Sequence, residues 1–335
     1  MAHRTCRRRA STLLGCALAC GLPALAFSQQ EAQPQTPPLE PPTEPRPKDA
    51  PALAEAPPPP QRVQYLLTLR GEHTFSADLR DSPGSVSIDR AGADFAARIP
   101  VGDRSRLTAT LEAETSWYNF DGATGFAAGT SEPWENSYQV NGTLTFSHQV
   151  SRQWSFFAGG GVDESAEDGA DWAQGVTGAL FGGATYAFSE KFNLGAGAVL
   201  RSRLEDQGQL LPLLLIEWQF APGWSLASNR GVNYAGLTLA YQARENLKFT
   251  LDGGFETHEF RLSDGAAAPG GVARDWRVPI SVGASWNITR QIALSGHVGV
   301  TAYQEYKLLD SDGNDVAKIE TKPAVLAGAS LTFSF

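Results

Sequence analysis

Cysteine is almost missing from this 335-residue chain: Cys6, Cys16 and Cys20 stand near its start and no other follows. From residue 21 onward a disulfide framework, a thiolate metal site and a thiol nucleophile are therefore excluded. Beyond residue 26 there is also no run of 18 apolar residues, which excludes a membrane-spanning helix there, and from Tyr65 onward no helical period, which argues against a helical bundle. An excess of basic charge is lacking as well. Lys and Arg number 27 against 36 Asp and Glu, for a net charge of -9, so nucleic acid is a poor partner.

What is present begins with Arg4, Arg7, Arg8 and Arg9 before the apolar stretch STLLGCALACGLPALA, which closes on the small residues Ala24-Leu25-Ala26. The stretch is too short for a bilayer and has the charge, core and cleavage pattern of a secretory signal peptide over 1–26. A retained anchor and a lipoprotein site at Leu13-Leu14-Gly15-Cys16 are the alternatives, the second weakened by how few apolar residues part it from Arg9. Loss of the four arginines moves the net charge from -9 to -13. Residues 27–62 follow, with EAQPQTPPLEPPTEPRPKDAPALAEAPPPPQR inside them. Repeated proline removes backbone donors and favours an extended chain, so this segment reads as a disordered spacer rather than a partner-binding proline motif.

From 63 to 335 the recurring feature is alternation. Tyr65, Leu67 and Leu69 share one face, as do Leu107, Ala109, Leu111 and Ala113, then Leu247, Phe249 and Leu251, then Val278, Ile280 and Val282, with small and polar residues opposite. Tight connections such as Ser151-Arg152-Gln153, Ser189-Glu190-Lys191 and Thr289-Arg290-Gln291 alternate with longer polar ones, 120–136, 163–171, 261–275 and 307–322. Short turns at one end and long loops at the other mark an up-and-down antiparallel transmembrane β-barrel, all-β, with the short turns in the periplasm. The pattern predicts about fourteen strands, the sixth over 172–188 and the twelfth over 276–288. Twelve result if a hairpin is lost, the weakest being the second strand, whose alternation slips near Arg90, and the pair within 224–243. Outward aromatics near the tight turns (Phe146, Trp154, Phe188, Phe192, Phe220, Trp224, Tyr241) and near the loops (Trp117, Tyr138, Trp172, Trp276) predict a girdle at each interface. A soluble β-sandwich is the rival, and it needs neither such long strands nor two girdles.

The chain ends on GASLTFSF, with Leu331, Phe333 and Phe335 in phase to the last residue. This terminus resembles that of bacterial outer-membrane β-barrel proteins, over 63–335. The resemblance implies Sec-type secretion to a Gram-negative outer membrane, contact with its lipid, and reading of Leu331, Phe333 and Phe335 by the barrel assembly machinery. Residues 210–264 are similar to a family of outer-membrane barrels known as a domain of unknown function, which implies a fold and no activity.

Inward-phase charges are Arg70, Glu72, Arg106, Glu112, Glu114, Arg201, Arg203, Glu217, Lys248, Asp252, Glu256 and Arg277. Both signs facing a lumen suggest a watered interior and passage of small solutes, while cross-strand pairing of the same charges gives a filled structural or surface-adhesive barrel. One strand departs from the rule. In LLPLLLIEWQF the residues Leu211, Leu213 and Leu215 fall on the inner phase, either as a greasy patch or wall opening for an apolar ligand or as a seat for an inward-folded loop. A lipid-modifying barrel enzyme needs Ser and His together at the lipid surface. Ser295 and His297 share a face, but the inward one, so no enzyme is expected. Asp310, Asp312, Asn314 and Asp315 offer oxygen ligands for calcium, yet the same residues around Gly313 are ordinary turn chemistry. No cofactor or metal site enters the reading.

Overall fold

The computed structural model describes residues 62–335 apart from 128, 129, 231 and 232; the proposed signal peptide (1–26) and, but for Arg62, the spacer (27–62) lie outside the described residues. The strands are β1 (Gln64–Asp78), β2 (Ser85–Val101), β3 (Ser105–Asp121), β4 (Asn136–Gln149), β5 (Trp154–Glu167), β6 (Val176–Ser189), β7 (Phe192–Arg203), β8 (Asp206–Ala221), β9 (Trp224–Arg230), β10 (Tyr234–Arg244), β11 (Leu247–Arg261), β12 (Val272–Asn287), β13 (Ile292–Leu309), β14 (Asp315–Glu320) and β15 (Ala324–Ser334). Each of β1–β13 pairs antiparallel with the next, β13 pairs with β15, and β15 returns to β1. Fourteen strands thus close into a barrel, so that the first and last strands of the sheet pair with each other and neither is left as an edge strand.

The faces obey the alternation. Leu111, Leu144, Leu180, Leu200, Leu251 and Val282 are exposed on the outside, an apolar band far beyond what a water-soluble surface carries and suited to hydrocarbon. Below it, at the tight turns, rings touch in series: Trp154 to Tyr186 at 5.0 Å, Tyr186 to Phe188 at 4.8 Å, Phe188 to Phe192 at 5.3 Å, Phe192 to Trp218 at 5.8 Å and Trp224 to Tyr241 at 4.8 Å. The girdle at the other end is sparser, with Phe255, Trp276 and Tyr303 in a row at 5.8 and 5.0 Å.

Three expectations about elements are corrected. Trp172–Gly175 is a 3₁₀ turn, capped by the Asp171 carboxylate accepting from Ala173 N–H, so β6 begins at Val176. The segment 307–322 is not all loop, because β13 runs on to Leu309 and β14 folds back on it outside the barrel circuit. β12 starts at Val272, which draws Arg274 and Asp275 out of the loop and into the wall. The slip near Arg90 is not a break. β2 pairs residue for residue with β3 from Ser85 to Val101, and alternation falters only because Val86 and Ile88 point their apolar side chains inward.

Phe335 sits on the closing seam. Its N–H donates to Tyr65 O at 3.0 Å, Tyr65 N–H donates to Phe335 O at 2.8 Å, and the two rings stack at 6.0 Å. Deleting Phe335 is expected to cost about 2 kcal/mol through the two lost bonds and the lost stack. Heat-modifiable migration of the purified barrel measures this, and an unshifted transition rejects it.

Candidate functional site in the barrel lumen

The lumen is built in three levels, and the inner-phase side chain of each strand decides which. Furthest toward the long loops lies an aromatic cap. Tyr118 and Phe120 of β3, Phe260 of β11 and Tyr306 of β13 turn inward, and the β3–β4 loop inserts Phe126 and Trp134 between them. Trp134 lies 5.0 Å from Phe120 and 5.1 Å from Phe126, edge to face, and is only 1% exposed. Val86, Ile88, Leu262 and Leu308 complete an apolar core across that end of the lumen.

Beneath the cap a layer of paired charge crosses the barrel. Arg277 of β12 donates through Nη2 to Glu72 of β1 at 2.6 Å and to both oxygens of Glu256 of β11 at 2.8 Å, and through Nη1 to Thr74 at 3.1 Å. Arg90 of β2 donates to Asp275 at 2.6 Å, Glu256 at 3.2 Å and Ser116 at 3.3 Å. Asp275 is closed off completely and also accepts from Gln304 Nε2 at 2.7 Å and Tyr118 OH at 3.3 Å. His258 lies 2.6 Å from Glu256 and 3.4 Å from Glu114, and His297 is 3.1 Å from Glu72. Buried charges at this density persist only when each is paired and hydrogen-bonded.

The third level is a chamber of about 780 Å³ that continues from this layer toward the tight turns. Arg70, Asp94, Glu112, Lys248 and Asp252 line it, with Arg98, Arg106, Ser147 and Ser285 nearest the turn end. Arg70 is held by Asp94 at 3.1 Å and Glu114 at 2.7 Å, and Asp252 accepts from Thr238 Oγ1.

Family comparison supplies a lineage for this barrel. Residues 135–334 match a family model described as a domain of unknown function (DUF6268). The chain belongs to this family. No curated protein matches it significantly. Among solved structures it is similar to an outer membrane channel from Pseudomonas putida F1 (11% identity, 86% of this chain and 100% of that one, TM-score 0.46). It is also similar to a Pseudomonas aeruginosa FadL homologue (11%, 81% and 90%, TM-score 0.45) and to the P. putida toluene transporter TodX (12%, 82% and 90%, TM-score 0.42).

Of the family barrel's inward charges read from sequence, Arg70, Glu72, Arg106, Glu112, Glu114, Lys248, Asp252, Glu256 and Arg277 all line the chamber or its ceiling. Arg201 is half-buried on β7 beside its partners Ala179 and Gln209, away from that lining. Glu217 is exposed and accepts from Asn193 Nδ2 at 3.2 Å. Arg203 belongs to a clamp at the long-loop rim, 3.1 Å from Asp206 and 2.8 Å from Glu259. Arg90, Asp94, Asp275, His258 and Gln304 were not among the sequence candidates. Their signal was the apolar pairs Val86/Ile88, Tyr118/Phe120, Phe260/Leu262 and Tyr306/Leu308, which occupy the inner phase near the loops and predict an internal core there.

Ser295 and His297 do not form a nucleophile and base. Ser295 Oγ donates to Ser285 Oγ at 3.0 Å while His297 faces Glu72. Asp310 is taken up by its own turn, accepting from Asn314 Nδ2 at 3.0 Å, Asn314 N–H at 2.8 Å and Asp312 N–H at 3.0 Å, and these bonds, that of the Asn314 side chain foremost, hold its carboxyl below the usual range.

Proposed function

We propose that the protein is a solute channel of the Gram-negative outer membrane, delivered there by a cleaved signal peptide and held closed at its outward end by the aromatic cap. The observation that carries this reading is the chamber. Its volume suits a small solute, charged and polar side chains stand among the apolar ones of its lining, and it faces the tight turns, which in such barrels lie in the periplasm. Closure comes from a loop, and loops move at lower cost than strands. The C-terminal strand, with Leu331, Phe333 and Phe335, acts here as the signal read by the assembly machinery.

A filled structural barrel is the second reading, favoured by the charged layer that crosses the lumen. Planar-bilayer recording separates the two. The intact protein is expected to be nearly silent, and a variant with 123–134 replaced by a short Gly-Ser link is expected to give stable conductance steps. Silence in both would overturn the channel and favour the filled barrel.

A further inference from the structure

Four polar side chains of the inner wall fall in one row. Asp94 of β2 stands opposite Glu112 of β3, Glu112 opposite Asn141 of β4, and Asn141 opposite Asp163 of β5. Alternation puts all four on the lumen side, because their neighbours Phe95, Leu111, Val140 and Val162 are exposed on the outside. Directly opposed side chains have Cβ atoms about 5 Å apart, and like charges so placed repel. A line of three carboxylates and an amide therefore calls for something positive in front of it.

The protein meets that need at the two ends of the row and leaves its middle open. Arg70 of β1 reaches Asp94 at 3.1 Å, though it is shared with Glu114 at 2.7 Å. Asp163 accepts from Gln139 Nε2 at 2.6 Å. Glu112, half-buried and lining the chamber, has neither a hydrogen bond nor an ion pair with any described residue. Arg106 and Lys248 line the chamber as well, but each is the second residue of its strand, at the turn end.

Asn141, next to Glu112 in the row, gives an independent sign of what is missing. It lines the same chamber and is only 5% exposed, yet its Oδ1 accepts no hydrogen bond. Its Nδ2 donates to Val162 O of β5 at 3.3 Å, so Oδ1, at the other end of the amide, turns away from β5. A buried acceptor without a donor is rare in a folded protein. Two acceptors on adjoining strands, one of them charged, thus await N–H donors on a cation. Among the described residues no group of three or more His, Cys, Asp or Glu is placed to hold a metal ion. An ammonium group fits instead, because it carries three donors and a full charge: one bond goes to Glu112, one to Asn141 Oδ1, and the third to water or Asp94. Water by itself fills the bonds and leaves the charge of Glu112 unmatched.

We infer that the chamber wall between β3 and β4 binds the ammonium group of a small amine, with Glu112 and Asn141 as its receptors and Asp94 adding to the field. The inference rests on the channel reading above and names the class of solute that the chamber selects. Charge-assisted bonds to a carboxylate inside a partly desolvated chamber discriminate such a solute from a neutral one of the same size.

Propylammonium, tetramethylammonium and propanol, titrated into the purified protein in nonionic detergent and followed by saturation-transfer NMR, test the site. Propylammonium is expected to bind. Tetramethylammonium has the charge without N–H donors and propanol the chain without the charge, so each is expected to bind at least about tenfold more weakly. Glu112→Gln is expected to weaken propylammonium at least about tenfold, with folding checked by heat-modifiable migration. This variant relieves a repulsion between opposed carboxylates, and Asn141→Leu, expected to weaken binding by a smaller factor, repeats the test if it does not fold. No binding of propylammonium, binding that Glu112→Gln leaves unchanged, or equal binding of tetramethylammonium overturns the site. Failure of the channel reading looks different: amine binding persists while the variant with 123–134 replaced stays silent in the bilayer. Conduction by that variant without amine binding removes the site and leaves the channel.

Discussion

Arg277→Met is expected to destabilise the barrel by about 3–5 kcal/mol, the largest single effect foreseen for the lumen. Methionine fills similar space, so the loss is electrostatic. Glu72 and Glu256 now share one guanidinium at 2.6 and 2.8 Å, and Glu256 would keep only Arg90 and His258 while Glu72 would keep only His297. A buried carboxylate deprived of its counter-charge costs several kcal/mol or takes up a proton. Urea unfolding followed by tryptophan fluorescence measures the change. Combining Arg277→Met with Glu256→Gln should recover part of the loss, because removing both charges avoids the stranded one. A single-variant loss below about 1 kcal/mol would mean that water already screens the layer.

The second large effect is in the cap. Trp134→Ala removes a nearly fully buried indole that touches Tyr118, Phe120, Phe126, Phe260 and Tyr306, and truncation of such a ring costs about 3–5 kcal/mol. Trp134 Nε1 has no hydrogen-bond partner. Trp134→Phe therefore removes an unsatisfied donor together with some volume, and a cost under about 1.5 kcal/mol is expected. The pair of variants tests whether packing or hydrogen bonding holds the loop, and equal losses would reject the packing account. Since the cap closes the lumen, Trp134→Ala is also the single substitution expected to admit the most current.

Particular strands show how far the sequence reaches. β3 reads outward from Leu107 to Trp117, as its exposed face confirms, yet Tyr118 and Phe120, in the same strand, are on the inner face and anchor the cap. Alternation puts Tyr118 on the face opposite the outward Trp117, whereas Phe120 is expected in the loop 120–136 and is instead drawn into β3, which runs on to Asp121; what the pattern lacks is the reason an inner residue should be aromatic. That reason comes from β11 and β13 across the lumen, whose Phe260 and Tyr306 meet them. Arg90 is similar. Its phase was obscured by inward Val86 and Ile88, and its partners Glu256 and Asp275 are 166 and 185 residues away. At the loop end β11 also meets β5 in a parallel bridge, Arg261↔Ala166, a pairing between strands far apart in the circuit that no local pattern announces.

By itself the sequence determined the barrel, the facing of its strands, the girdle at the tight turns and the inward apolar face of Leu211, Leu213 and Leu215. These follow from a period of two, because a side chain's face is set by its own position in an extended strand and by nothing further away. Only the tertiary structure decided that the charges pair across the lumen, that the β3–β4 loop caps it, and that Arg203 serves the rim rather than the chamber. Each of these depends on which strands stand opposite once fourteen of them have closed a ring, and closure is a property of the whole circuit that no single strand encodes.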